Sequence, residues 1–364
     1  MRRKLRLALA ALVVVLGALA IVAVLERSWT AAQLRAVVVL STTEQTPVLA
    51  WTVRVLTHEP RVEETTVGGA PSTVVRPGKG DGPWPAIVFV NGATRAGRHH
   101  EKVQRLAEGL ARAGFLVVVP DLPGLPLGEI TPATKAATIR AARATADRPD
   151  VRDGRVSLYG VSVGATLALL TAESSALADR VDVVGGEAPW ADLERVVRLA
   201  TTGFYDGGRY EVDPYVELAV ARSLAAEGHP RLLERLEAID DEDPQPLATL
   251  HGTQPLVRLL VNRNPARFDD LYGRLPARMR RSVELLSPIR RADRLRMPVE
   301  LATAPHDKYF PPAESQALAR AAPNVSVTVT ATLDHAVPAL SLGDVADLAR
   351  FDGFVVRFLR AARG

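Results

Sequence analysis

Gly160-Val161-Ser162-Val163-Gly164 is the stretch whose residue types and spacing carry the strongest chemical signal in this chain. A short β-type run, Val156 to Tyr159, feeds it, and the small and aliphatic residues from Ala165 to Leu170 suit a buried helix. Strand, sharp turn and helix in that order put a serine hydroxyl at the tip of a strained turn, exposed for nucleophilic attack. Glycine two residues to either side lets strand and helix approach. The helix that starts behind Ser162 aims its first N–H groups at the site, so the Val163 amide is a candidate donor to a developing oxyanion. A glycine-rich packing turn with an inert serine has the same spelling, so the surrounding chain decides between the two.

That context supplies partners. Ala86 to Val90 is a continuous apolar run of the kind expected for a strand covered on both faces. It ends in Asn91-Gly92-Ala93-Thr94, and the Ala93 N–H is the candidate second oxyanion donor. Near the C-terminus, Ala304 to Pro311 follows one strand, Met297 to Ala302, while Leu333 to Ala336 follows the last, Val325 to Thr330. Asp307 in the first segment and His335 in the second complete the chain order serine, acid, histidine. Glu187 and Asp192, after the strand Val181 to Val184, are alternative acids, and Asp121 reads as a turn residue. His99 and His100 are adjacent rather than spaced as ligands on one helical face, so neither a metal site nor a cofactor is expected.

The elements that must position these residues alternate strand and helix. Val62 to Val67 and Ser72 to Val75 read as an opening hairpin. Glu101 to Ala113 carries Val103, Leu106 and Leu110 at helical spacing, stopped by Gly114, and Ala133 to Ala146 is an alanine-rich helix. This order implies a mostly parallel sheet with right-handed crossovers, helices on both faces and reactive residues at the C-terminal strand ends. From about Thr201 to Leu286 the β-type runs give way to helical segments rich in Arg, Glu and Leu, the composition of a helical cap set above the site. Arg278, Arg280, Arg281, Arg290, Arg291, Arg294 and Arg296 near its exit form either a solvated face or a contact for anionic headgroups or an acidic substrate. An amphipathic helix with Phe351, Val355, Phe358 and Leu359 closes the domain.

At the N-terminus, Arg2, Arg3, Lys4 and Arg6 precede an uncharged run from Leu7 to Leu25 that approaches the ~30 Å hydrocarbon thickness of a bilayer. Ala18-Leu19-Ala20 resembles a cleavage site, but the apolar run continues past it, which favours an uncleaved signal anchor over a secreted form. The basic cluster keeps the N-terminus in the cytoplasm and places the rest of the chain outside. Removing those four residues from the 45 basic groups leaves 41 against 41 acidic ones, a balance without general attraction for nucleic acid. The chain has no cysteine, which excludes disulfides and thiolate metal sites. The expected organisation is an anchor over residues 1–27, a juxtamembrane segment over 28–60, a sheet domain over 61–200 and 287–364, and the cap over 201–286.

Together these residues resemble the α/β-hydrolase superfamily, and within it the dienelactone hydrolase and acyl-esterase-like branch. The serine turn matches the family's nucleophile elbow, Asn91-Gly92-Ala93 stands where the family usually has His-Gly, and His306-Asp307-Lys308-Tyr309-Phe310-Pro311 resembles its acid loop. Leu286-Ser287-Pro288 with Met297-Pro298-Val299 resembles its return from cap to sheet. The resemblance implies an α/β-hydrolase fold and a serine hydrolase acting on a small-molecule ester or acyl substrate. In it Ser162 attacks, His335 shuttles the proton, Asp307 holds the imidazole, and Ala93 and Val163 form the oxyanion hole. Amide cleavage with the same residues, or an inactive scaffold, are the alternatives; a scaffold needs none of the three triad residues.

Overall fold

The apolar runs and the opening hairpin become the strands of one eight-stranded sheet. The structure is a computed structural model that describes residues 27–43, 47–241, 247, 250–335, 337–338 and 345–363. The strands are β1 Arg61–Val67, β2 Ala70–Arg76, β3 Trp84–Val90, β4 Leu116–Pro120, β5 Val151–Val161, β6 Val181–Glu187, β7 Val299–Thr303 and β8 Val325–Val329. Their spatial order is β1-β2-β4-β3-β5-β6-β7-β8. β1 pairs antiparallel with β2 and β2 with β4, and the rest of the sheet is parallel. The helices in chain order are α1 Arg27–Thr43, α2 Pro47–Leu56, α3 Glu101–Arg112, α4 Pro132–Ala146, α5 Val163–Ala172, α6 Leu193–Thr202, α7 Pro214–Ala225, α8 Pro230–Glu237, α9 Pro255–Leu260, α10 Phe268–Gly273, α11 Ala277–Leu285, α12 Pro312–Ala321 and α13 Val345–Ala361.

The pleat sends alternate strand residues to two cores. Val88, Val90 and Leu158 pack with α4, α5 and the helices after β6, whereas Ile87, Phe89 and Tyr159 pack with α1, α3 and α13. The Leu7–Leu25 run, expected to anchor the chain in a membrane, lies outside the described residues, among which no helix is long and apolar enough to cross one. α1 docks on α3 and α13 through buried Ala32, Ala36 and Val39. Gly109 of α3 permits the contact, since a Cβ there would stand 3.2 Å from the Val39 backbone. Gln33 adds two hydrogen bonds to the Asp352 carboxylate, at 2.8 and 2.9 Å.

The helical excursion leaves the sheet after β6 and returns before β7, and its two ends meet. Trp190 Nε1 donates to the Leu286 carbonyl at 2.9 Å, Leu193 N to Ser287 Oγ at 2.9 Å, and Ile289 N to the Ala191 carbonyl at 3.0 Å. Within it the fully buried Arg222 of α7 donates to the carbonyls of Leu127, Leu236 and Ile239 and to Asp241. The excursion is not purely helical: Phe204–Tyr205 pairs antiparallel with Gly208–Arg209. The intervening Asp206 and Gly207 both have positive φ, 49° and 82°, the conformation of a two-residue hairpin turn that Asp-Gly favours. The buried Glu314 carboxylate fastens this hairpin down, accepting from Ala191 N and Asp192 N at 2.8 Å and from the Tyr205 hydroxyl. In the basic run, Arg278 pairs with Glu227, and Arg290 lies near Asp192 and Glu194.

Two features generate predictions. A Cβ on Gly164 would stand 2.1 Å from the Val90 carbonyl oxygen, so Gly164→Ala is expected to cost about 3 kcal/mol and lower the thermal midpoint. Gly273→Ala, on an exposed helical residue with open space around it, is expected to be neutral or slightly stabilising, and equal midpoints for the two variants would refute the close-packing account. Glu173, at the end of α5, is 4% exposed, and neither carboxyl oxygen has a hydrogen-bond partner among the described residues. Burial pushes its pKa up to about 8 against the opposing field of Lys135, Arg291 and Arg294. Because the folded state holds this proton more tightly, stability from this group is greatest below the unfolded pKa and falls as pH rises through the folded value. Glu173→Gln is therefore expected to stabilise by on the order of 3 kcal/mol at pH 7 and by little at pH 4.5; a pH-independent difference in unfolding midpoint would overturn this.

Candidate active site

The glycines flanking Ser162 are there because nothing larger fits. A Cβ on Gly160 would stand 2.3 Å from the Gly164 carbonyl oxygen, and one on Gly164 would strike both the Val90 and Asn91 carbonyls. Between them the chain turns so sharply that Ser162 adopts φ 56°, ψ −124°, a strained conformation for a residue with a side chain. The turn is pinned by Ser162 N donating to the Glu187 carbonyl of β6 at 2.7 Å. Val163 then opens α5, so its N–H lies outside the helix's own hydrogen-bond ladder.

The three residues separated along the chain converge at this turn. His335 Nε2 stands 2.8 Å from Ser162 Oγ, and His335 Nδ1 stands 2.8 and 2.9 Å from the two carboxylate oxygens of Asp307. Asp307 is 1% exposed, and its Oδ1 also accepts the Tyr309 and Phe310 amides at 2.8 and 3.0 Å, which fixes the carboxylate's orientation. It is Asp307, and neither Glu187 nor Asp192, that faces the imidazole. Glu187 accepts the Tyr159 hydroxyl, and Asp192 caps α6 by accepting Glu194 N at 3.0 Å. Asp121 pairs with Arg98, His306 is exposed, and His100 caps α3 by accepting Lys102 N.

Sequence reasoning missed the clamp on the imidazole. The Tyr309 ring stacks on His335 with centroids 4.2 Å apart and planes 23° apart, and Phe310 meets it edge-on at 5.8 Å. Tyr309 in turn hydrogen-bonds Asp213, whose charge, after burial, pushes the phenol up to about 12 and keeps it a neutral donor. Asp213 also caps α7 through Tyr215 N, and its own amide donates to the Lys308 carbonyl at 2.8 Å. Tyr210, beside the small hairpin, donates to the Asp307 carbonyl at 2.6 Å. The available signal was the aromatic pair two and three residues after Asp307.

The second oxyanion candidate lies on the loop after β3. Asn91 is buried, its Nδ2 donates to the Gly92 carbonyl at 2.8 Å, and a Cβ on Gly92 would lie 3.7 Å from the Ser162 Cβ. Ala93, Ser162, Val163 and His335 share the wall of one cavity of about 920 Å³. Its remaining walls are mainly aliphatic and aromatic, drawn from the helices after β6 on one side and from α1, α3 and α13 on the other.

An activatable serine, a histidine oriented by a buried carboxylate, and two backbone amides beside them are the parts that acyl transfer needs. A model of the alpha/beta hydrolase family matches residues 87–348. Among solved structures, the chain is similar to a Mycobacterium tuberculosis puromycin-hydrolyzing peptidase at 19% identity and a TM-score of 0.47, covering 82% of this chain and 37% of that one. It is similar to Porphyromonas gingivalis dipeptidyl peptidase 4 at 11% identity and a TM-score of 0.49, covering 86% and 37%. It is also similar to a hyperthermophilic esterase from the archaeon Pyrobaculum calidifontis, at 18% identity and a TM-score of 0.46, covering 89% and 90%. The chain thus spans little more than a third of the length of the two peptidases. A search of curated proteins found no match. The family match runs through every strand from β3 to β8 and takes in Ser162, Asp307 and His335, and the chain belongs to the alpha/beta hydrolase family.

Proposed function

We propose that this protein is a serine hydrolase that cleaves carboxylic esters through an acyl-enzyme intermediate. The observation that carries the reading is the 2.8 Å contact between Ser162 Oγ and His335 Nε2, continued at 2.8 Å from Nδ1 to Asp307. In this reading Ser162 Oγ attacks the carbonyl carbon while its proton passes to His335 Nε2, and the Val163 and Ala93 amides take the charge that develops on the carbonyl oxygen. The tetrahedral intermediate collapses, the alkoxide leaves with the proton from His335, and the acyl group stays on Ser162. Water then attacks the acyl carbon, gives a proton to His335, and releases the acid as the proton returns to Ser162. Asp307 holds the Nδ1–H tautomer throughout and stabilises the imidazolium. Support for esters over peptides comes from the mainly aliphatic and aromatic walls of the cavity, since a peptide's additional amides require more polar partners.

The proposed setting is the outer surface of a membrane, with residues 7–25 as the anchor and 201–286 as a cap over the site. Support comes from the basic flank before that run and from large apolar side chains exposed just after it, including Leu34, Val37, Trp51, Val55 and Leu56.

Fluorophosphonate is expected to label the wild-type chain and neither Ser162→Ala nor His335→Ala, with ester turnover falling by at least about 10⁴-fold in the serine variant. Unchanged turnover in Ser162→Ala would sink the assignment, and faster cleavage of peptide anilides than of matched p-nitrophenyl esters would shift it to amide hydrolysis. For the setting, the full chain is expected to resist carbonate extraction from membranes and to be digested by protease added to intact cells. Recovery in the soluble fraction, or protection from that protease, would remove it.

A further inference from the structure

We propose that the substrate carries a long aliphatic acyl chain, and that this chain runs from Ser162 across the strand ends into the space beneath α1, α3 and α13. The inference rests on the ester hydrolase reading and names its substrate class.

The cavity that holds Ser162 and His335 does not stop at the cap. Its lining divides between the two cores that the sheet separates. Ile130, Trp190, Val196, Val216 and Val220 belong to the core on the side of the helices after β6. Val103, Leu110, Phe351 and Phe358 belong to the core on the opposite face, and Leu40 and Leu106 pack against it. The catalytic serine therefore stands where a cavity passes around the C-terminal edge of the sheet from one face to the other. A scissile ester at Ser162 has room for a group on each side of its carbonyl.

The chemistry of the second arm selects what fills it. Its walls are chiefly Leu, Val and Phe side chains, with the rings of Phe89, Tyr159 and Phe358 in sequence at 5.9 and 5.0 Å between centroids, and its polar members are Thr43, His100, Lys102, Tyr159 and Glu187. The Tyr159 hydroxyl, the polar atom among these rings, donates to Glu187. Burial together with that carboxylate raises the phenol well above its ordinary pKa, so it presents no charge. The exposed charge of Lys102 stands in the outer first turn of α3. Along the run of Leu, Val and Phe side chains a charged or sugar-like acyl group would lose more hydration than these few polar groups return, whereas a methylene chain loses nothing. At about 920 Å³ the cavity is at the upper end for small-molecule sites, and an acetyl group would leave most of it unfilled. Each methylene taken out of water is expected to raise kcat/KM about fourfold until the arm is full.

The test is a series of p-nitrophenyl esters from acetate to dodecanoate, hydrolysed by the detergent-solubilised full chain and by three variants that narrow one arm each. Leu40→Trp and Leu106→Trp change half-buried residues on α1 and α3, and Ala219→Trp narrows the cap side. The wild-type chain is expected to gain about fourfold per methylene through octanoate. Leu40→Trp and Leu106→Trp are each expected to cut the decanoate-to-acetate ratio of kcat/KM by tenfold or more, and Ala219→Trp to cut it by less than threefold. Either α1 or α3 variant suffices if the other does not fold. A flat or falling wild-type series, with Ser162 still labelled by fluorophosphonate, overturns the long-chain inference while the hydrolase reading stands. A ratio that falls only in Ala219→Trp overturns the placement of the chain. Absence of both labelling and ester turnover removes the underlying reading as well.

Discussion

Strand β5 and helix α5 are pressed together so closely that no methyl group fits at Gly160 or Gly164, and the geometry of the candidate site follows from that approach. The turn between them forces Ser162 to positive φ and projects its hydroxyl beyond the strand ends. The same approach brings Gly164 against the carbonyls of Val90 and Asn91, so the loop carrying Ala93 is held beside the serine by the packing that positions the serine itself. The strain in Ser162 is of the order of 1–3 kcal/mol and persists because the surrounding sheet over-determines it. Its hold includes the bond from Ser162 N to β6, which couples the turn to the neighbouring strand.

The histidine is placed by a different kind of constraint. Ser162 sits on a turn with little freedom, but His335 and Asp307 come from loops after β8 and β7, and loops alone position poorly. Here the acid loop is tied to the excursion by Tyr309 to Asp213, Asp213 N to Lys308, and Tyr210 to the Asp307 carbonyl. The imidazole is stacked on the ring of Tyr309, whose hydroxyl is itself hydrogen-bonded to Asp213, the cap of α7. The helices that wall the cavity thus also steady the imidazole, so a shift of α7 would be felt at His335 as well as in the cavity.

The inner, parallel part of the sheet was readable because strands such as β3, β4 and β7 are continuous apolar runs in alternation with helical segments, a pattern with few topological solutions. The serine was readable because its turn demands glycine at two fixed places, and the order of acid and histidine followed from which loops end at the same sheet edge. Tyr309 and Asp213 were not, since a stacking contact between residues 26 apart and a hydrogen bond between two loops leave no periodicity behind. The small hairpin at Phe204–Arg209 was legible in principle: Tyr205-Asp206-Gly207-Gly208 carries the Asp-Gly turn signal, outweighed by the helical composition around it. α1 falls in the segment read as juxtamembrane, whose apolar residues carry no signal of what they pack on. Its buried face includes Ala32 and Ala36, small enough for the close helix packing they make.

That docking joins the two ends of the chain. α1 rests on α13, and Gln33 bonds Asp352 across 319 residues of sequence. During synthesis α1 can meet α3 early, but its seat is complete only once α13 has emerged. Such a long-range closure comes late in folding and is lost by trimming either end. Removing the final turns of α13 should therefore loosen α1 on its remaining seat, α3, although α1 and α13 lie 319 residues apart at their hydrogen bond.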